Sequence, residues 1–536
     1  MKRKRFTNPV IPGFYPDPSV CRADDDFYLV ASSFEFFPGV PIFHSRDLVH
    51  WRQIGHILDR PSQLNLDGVA DSRGIYAPTI RHHDGIFYLI TTLARQGEER
   101  DIHANFVCTA KDPAGPWSDP LWIDGAPGID PSLFFDDDGR VWCHGNMRPD
   151  SPAWRFHRVI WLQEIDLSAM RLVGPRYVIA DAADYADRWG QGFCNAFEAP
   201  HLYKKDNWYY LLIAAGGTGW AHAMYVFRSR SITGPYESHP QNPVMTHRHL
   251  PKETSPIHCP GHGDFIETKT GQWWVFFLAT RPYAGYHNYL GRESFLAPVA
   301  WEGGWPLVSP GTDRIERSYP FPDLKEHRFP AEPETDDFDR QTLGFSWYFL
   351  RTPRERWWSL TERPGYLRLR ARPQTLCEQA HPSFVARRVR HLSFSASCEM
   401  EFSPSGEGEE AGMVLYKSSR AYFRLVLSRR DGKKALCLVK RLLQDDSDSE
   451  IARVFVDSSC LFLRIDTSGR RFRFSWSRDN RRWKVLDATY DVSCLSQVVC
   501  GGFTGISVGV FAGSNGRQTG SVADFDWFRY RGAHNW

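Results

Sequence analysis

The sequence predicts an all-β protein in two units, a five-bladed β-propeller followed by a β-sandwich. Three observations lead there. One short pattern recurs five times within the first 310 residues. Long stretches with helical spacing of apolar residues are lacking; short β-branched and aromatic runs alternate with Asp-Gly, Gly-Pro and Asn-Pro turns. After about residue 310 the repeat stops, and alternating strands resume beyond a proline-rich, charged stretch.

The five copies define the blades. Asp17–Leu29 aligns without gaps on Ala77–Leu89 and on Ala199–Leu211. Asp130–Trp142 matches with one extra turn residue, and His262–Trp274 is a weaker fifth copy. Each copy reads as a strand, a tight acidic or glycine turn, and an aromatic strand, which is a β-hairpin. Each is followed by a second marker: Asp47–Trp51, Gly115–Trp117, Gly174–Pro175, Gly234–Tyr236 and Gly303–Trp305. The copies start at 17, 77, 130, 199 and 262, so each unit has room for a four-stranded blade with loops. Five such units close radially into a propeller and leave few exposed sheet edges. The expected limits are a propeller over 1–318, a linker over 319–335 and a sandwich over 336–536. Leu367–Arg370 and Phe472–Trp476 are typical alternating runs of the second unit.

Composition narrows the function. A net charge of +2 over 536 residues gives no electrostatic footprint for nucleic acid or an anionic membrane. No run of about 18 apolar residues is present, so no membrane span is expected. The eleven cysteines are scattered, odd in number and without C-x-x-C or zinc-like spacing, which suits reduced thiols. The basic start, Met1–Phe6, runs into Asn8-Pro9 without an apolar signal core. A cytoplasmic protein is the resulting expectation. Aromatic residues make up 14% of the chain; flat rings suit sugar faces, but they equally fill all-β cores.

The repeat register then predicts neighbours that sequence distance hides. In a propeller the first strand of each blade lines the central channel, so equivalent positions converge near the axis. Asp17 and Asp130 stand at the head of their inner strands, and Ala77 takes that place in the second copy. Glu198 lies one residue before it in the fourth copy, and His262 occupies it in the fifth. An Asp before Pro-Ser is also a good strand-start residue, because its carboxylate bonds nearby backbone N–H groups. Three carboxylates at one end of the axis are harder to explain that way, since clustered negative charge is unfavourable without a use. Metal binding and acid–base catalysis both remain open on the register alone. Glycoside hydrolysis uses one carboxyl group as acid and a second as base, and a third negative group would keep the acid protonated.

Several motifs together resemble the β-xylosidases of glycoside hydrolase family 43. They are Asn8–Ser19, Ser33–Val40, Gly74–Pro78, Gly128–Leu133 and Gly291–Ala297, with Gly502–Gly505 and Asp524–Phe528 near the C-terminus. The likeness extends over essentially the whole chain. It implies a jelly-roll, concanavalin-like second domain and an inverting, exo-acting enzyme that releases xylose from β-1,4-xylooligosaccharides. By that likeness Asp17 is the general base, Glu198 the general acid, and Asp130 the residue that raises the pKa of the acid. Arg292 binds sugar hydroxyls, Phe34 and Tyr76 wall the subsite, and Phe503 reaches over from the sandwich to close it. Ala77 and Thr218 complete the substrate-binding set with His262. The resemblance implies no required cofactor and leaves a place for a divalent cation such as calcium near His262, held through water. A small oligosaccharide is the expected partner, with self-association into a homo-oligomer left open.

The chain departs from the pattern at three places near this site. Ala215 and Ala221 stand where relatives carry Glu, and Gly502 replaces an aromatic residue. These positions bear on substrate preference, so α-L-arabinofuranosidase activity stands beside xylosidase activity. A non-catalytic sugar-binding protein and a structural propeller are the readings from other classes. A complete acid–base set argues against the first, and the lack of a partner-type repeat face against the second.

Overall fold

The structure is a computed structural model and describes residues 4–97, 101–283 and 285–533. Five antiparallel sheets follow one another along the chain, each opened by one of the repeated hairpins. The inner strands are Ser19–Ala23, Thr79–His83, Ile129–Phe135, Glu198–Lys205 and His258–Glu267. Each touches the next and the last returns to the first, which closes a five-bladed ring. Local chemistry sets the hairpins. Asp84-Gly85 and Asp206-Asn207 take positive φ at both turn positions, the geometry whose twist matches two paired strands. Arg5–Thr7 pairs with Ser318–Pro320, so the start of the chain is bonded to the end of the propeller.

A ring of buried polar groups fills the channel, with at least one side chain from every blade. Asp264 accepts hydrogen bonds from Ser19 Oγ (2.7 Å), Arg81 Nη1 (2.8 Å) and Tyr203 OH (2.5 Å). Arg81 Nη2 meets His201 Nδ1 at 3.0 Å, and Ser132 Oγ lies 3.2 Å from the same nitrogen. Burial alone would raise the carboxyl pKa of Asp264; Arg81 and the hydroxyl donors outweigh it and hold the group well below the usual carboxylate range. The channel is therefore a floor for the site rather than a passage.

The second domain is a sandwich of two eight-stranded sheets. One is built around Val522–Ala533 and Ser393–Phe402, the other around Glu410–Ser418 and Ser507–Gly513. The last strand of the second sheet comes from the propeller: Phe36-Phe37 pairs with Tyr348–Leu350. The apolar core is continuous across the seam, running from Leu64, Leu66 and Ile75 to Leu415, Leu425 and Val508. That shared apolar core stabilises the two domains against each other. The strand Ser318–Pro320 reaches into the expected linker, and Thr335–Asp336 already pairs with Val522–Ala533. Between them the chain is anchored, with His327 N–H on Asp47 and the Arg52 guanidinium 4.8 Å above the Phe329 ring. The ends of the expected domains, 1–3 and 534–536, lie outside the described residues.

Candidate active site

At the heads of the inner strands the backbone is bent. Asp17, Asp130, Ala199 and His262, equivalent positions in four copies, all have φ between 47° and 55°. Left-handed backbone at non-glycine residues costs about 1–3 kcal/mol each and clusters at functional sites. The ladders slip beside three of them, between Ile129 and Ser132, between Glu198 and His201 and between His258 and Gly263. Such bulges turn side chains that would lie along the sheet toward the axis.

The pocket so formed is lined by Asp17, Asp130, Glu198, His262 and Arg292, with Phe34, Tyr76, Ala77, Ile129, Thr218 and Phe503. Every site residue read from the sequence is in that set. Ile129 is the added member; it directly precedes Asp130 and carries no chemical signature of its own. A larger groove between the domains, bordered by Phe345 and Trp358, carries only the exposed carboxylates of Asp59 and Glu355.

The three carboxyl groups sit in different environments. Asp17 is buried, accepts from Arg292 Nη1 at 2.8 Å and Ser32 Oγ at 2.6 Å, and lies 3.7 Å from His262 Nδ1. Burial pushes its pKa up, but Arg292, His262 and the Ser32 hydroxyl together bring it below the ordinary value, so it is ionised at neutral pH. Asp130 accepts from Ala199 N–H at 3.0 Å and Asn146 Nδ2 at 3.3 Å. Its pKa is raised by burial, against the pull of His262 and with the push of Asp17. Glu198 is pushed up to about 8, first by burial and then by the negative charges of Asp130 and Asp17. One carboxylate kept charged and one carboxyl kept protonated across a small pocket form an acid–base pair suited to hydrolysis of a glycosidic bond.

The apolar wall is one aromatic cluster. Phe34 lies 5.4 Å from Tyr76, 5.6 Å from Phe14 and 6.0 Å from Phe503, ring centre to ring centre. The Arg292 guanidinium sits 5.7 Å from the Phe34 ring and 5.6 Å from that of Phe503. Phe503 belongs to the sandwich, so the second domain supplies one wall of the pocket.

Around His262 the nearby carboxylates already have partners. Asp17 is engaged by Arg292 and Ser32, and Asp264 by Arg81, Ser19 and Tyr203. Among the described residues no group of three or more His, Cys, Asp or Glu could hold a metal ion. Of the three departures, Ala215 is fully buried at the end of the strand beside Glu198, pairing with Ala223, and Ala221 lies in the loop that leads from that strand into Ala223–Ser229. Gly502 takes a positive φ beside Ser72.

Comparison with known proteins agrees with this geometry. The family model for glycosyl hydrolases family 43 matches residues 6–306, and the model for the beta xylosidase C-terminal concanavalin A-like domain matches 335–531. A xylosidase/arabinosidase of Butyrivibrio fibrisolvens is 42% identical over 530 residues, 97% of this chain and 98% of that one. A non-reducing end alpha-L-arabinofuranosidase of Bacteroides ovatus is 38% identical over 99% of this chain and 96% of its own length. Among solved structures, a xylan beta-1,4-xylosidase from Bacillus halodurans superposes with a TM-score of 0.91 at 36% identity, covering 98% of this chain and all of that one. With matched catalytic and C-terminal domains and full-length relatives at this level of identity, the chain belongs to glycoside hydrolase family 43 and is a glycosidase.

Proposed function

We propose that the enzyme is an exo-acting, inverting β-xylosidase that removes xylose from the non-reducing ends of short β-1,4-xylooligosaccharides. In this reading Asp17 deprotonates the attacking water and Glu198 protonates the departing oxygen. Asp130 keeps Glu198 protonated, and Arg292 steadies Asp17 while facing the sugar hydroxyls. The observation that carries the proposal is the shape of the site. The channel below is filled by the Arg81–Asp264 cluster and one side is closed by Phe503, so a single terminal sugar fits and a polymer does not thread through. Hydrolysis by this pair draws on no cofactor. Eleven unpaired cysteines support a reducing compartment, where short imported oligosaccharides would be the substrate, and self-association remains compatible with that role.

A second activity, release of terminal α-L-arabinofuranosyl groups, is proposed alongside. Relatives named for each activity cover nearly the whole chain, and the two sugars present similar hydroxyl patterns to one pocket. Product analysis tests the exo mode. Xylotriose is expected to give xylose and xylobiose first, with specific activity falling as the chain lengthens. Mixed internal fragments from long xylan, appearing before free xylose, would overturn it.

A further inference from the structure

One residue outside the pocket ties its three aromatic walls together. Ser72 is buried in the loop before Gly74–Ile75 and is held at φ 60°, left-handed without being glycine or asparagine. Each of its polar groups is used on a different part of the pocket. Its N–H donates to Glu35 Oε2 at 3.1 Å, and Glu35 directly follows Phe34. Its carbonyl accepts from Tyr76 OH at 3.2 Å. Its hydroxyl oxygen accepts from the backbone N–H of Phe503 at 2.8 Å, across the domain seam.

The partner loop is shaped for this bond. At Gly502, with φ 71°, a Cβ would lie 2.6 Å from Ser72 Oγ, so only glycine lets the Phe503 N–H approach the hydroxyl. Other polar links lie beside it, one across the seam and one within the sandwich. Asp71 accepts from Ser419 N–H at 3.0 Å and from Ser419 Oγ at 2.5 Å. Lys417 Nζ donates to the Thr504 carbonyl, next to Phe503. The Asp71 bonds hold the domains together and the Lys417 bond lies within the sandwich, whereas the Ser72 bond crosses the seam to the residue whose ring closes the pocket. The backbone strain at Ser72 is retained where relaxing it to glycine would remove the hydroxyl.

We propose that Ser72 is a positioning residue: its hydroxyl, matched by Gly502, fixes the Phe503 ring against Phe34 and so sets how tightly the terminal sugar is held. The inference rests on the glycosidase reading of the pocket and adds to it a determinant of sugar affinity that touches no substrate atom. The Phe503 ring that it holds would face the sugar in the substrate complex and the transition state alike, so the bond acts on binding more than on the chemical step.

The test compares Ser72→Ala, Ser72→Gly, Phe503→Ala and the Ser72→Ala/Phe503→Ala pair, with KM and kcat on xylobiose and Tm for each. Both Ser72 variants are expected to raise KM about tenfold, the upper end of what ordering one released side chain on binding costs, with a smaller change in kcat. Ser72→Gly relieves the left-handed strain, so its Tm should equal or exceed that of Ser72→Ala while KM stays just as high. In the Phe503→Ala background, Ser72→Ala should add nothing further. A KM within twofold of the parent in both single variants, a KM that glycine restores, or additive effects in the pair would each overturn the proposal. Inactivity of the unmodified enzyme on xylosides and arabinofuranosides alike would instead refute the underlying activity.

Discussion

Replacing Asp17 with Asn is expected to lower kcat on xylobiose by about 10²–10⁴-fold, the range for loss of a general acid or base. Asn is the informative substitution for two reasons. It tolerates the φ of 55° at this position more readily than Ala, its carbonyl still accepts from Arg292, and its amide NH2 can donate to the Ser32 hydroxyl in place of the bond that the second oxygen accepted. Ala would instead leave a buried guanidinium without its carboxylate, a loss of about 3–5 kcal/mol that would mix instability with the loss of chemistry. Because Asp17 acts on water, the loss should be similar for every leaving group. Activity within about tenfold of the parent would remove Asp17 from the role of base.

Replacing Glu198 with Ala has a different signature. An acid is needed only where the departing oxygen is basic. On xylobiose the loss should be about 10³–10⁴-fold, whereas on a dinitrophenyl xyloside, whose leaving group needs no proton, it should be less than about tenfold. Equal losses on both substrates would contradict the assignment. The pH profile gives a second readout. Glu198 is active when protonated, so kcat/KM of the parent should fall as pH rises through about 8. The limb disappears in Glu198→Ala. In Asp130→Asn it moves to lower pH, because one of the negative charges that raises Glu198 is gone.

Much of this site was legible before any coordinates. The repeat register alone brings Asp17, Asp130, Glu198 and His262 to one end of one axis, because a propeller converts equivalent sequence positions into spatial neighbours. Arg292, Phe34, Tyr76 and Phe503 needed the family likeness, since nothing periodic marks them. The bent backbone at four register positions has no sequence signal beyond the repeat itself, because Asp, Ala and His all occupy it.

What stayed hidden lies mainly where the two domains meet. That Phe36-Phe37 leaves the propeller to end a sandwich sheet follows from tertiary packing, not from the strand pattern. Ser72 reads as an ordinary loop serine, and its three bonds reach residues 37, 4 and 431 positions away. Arg81 and Asp264 look like solvent-facing charges in their own strands and pair only when blades 2 and 5 converge on the axis. Gly502 appeared as a departure from pattern, and the structure gives it a physical reason in the clearance it leaves for Ser72 Oγ.

The central claim is that water activated by Asp17 attacks from the side opposite the oxygen protonated by Glu198, in one displacement. The anomeric form of the first product tests this most directly. Proton NMR recorded during hydrolysis of an aryl β-xyloside, faster than mutarotation, should show α-xylose appearing first and the β-anomer growing in later. Initial release of β-xylose would mean a covalent intermediate and two displacements, and it would contradict the roles given to both carboxyl groups.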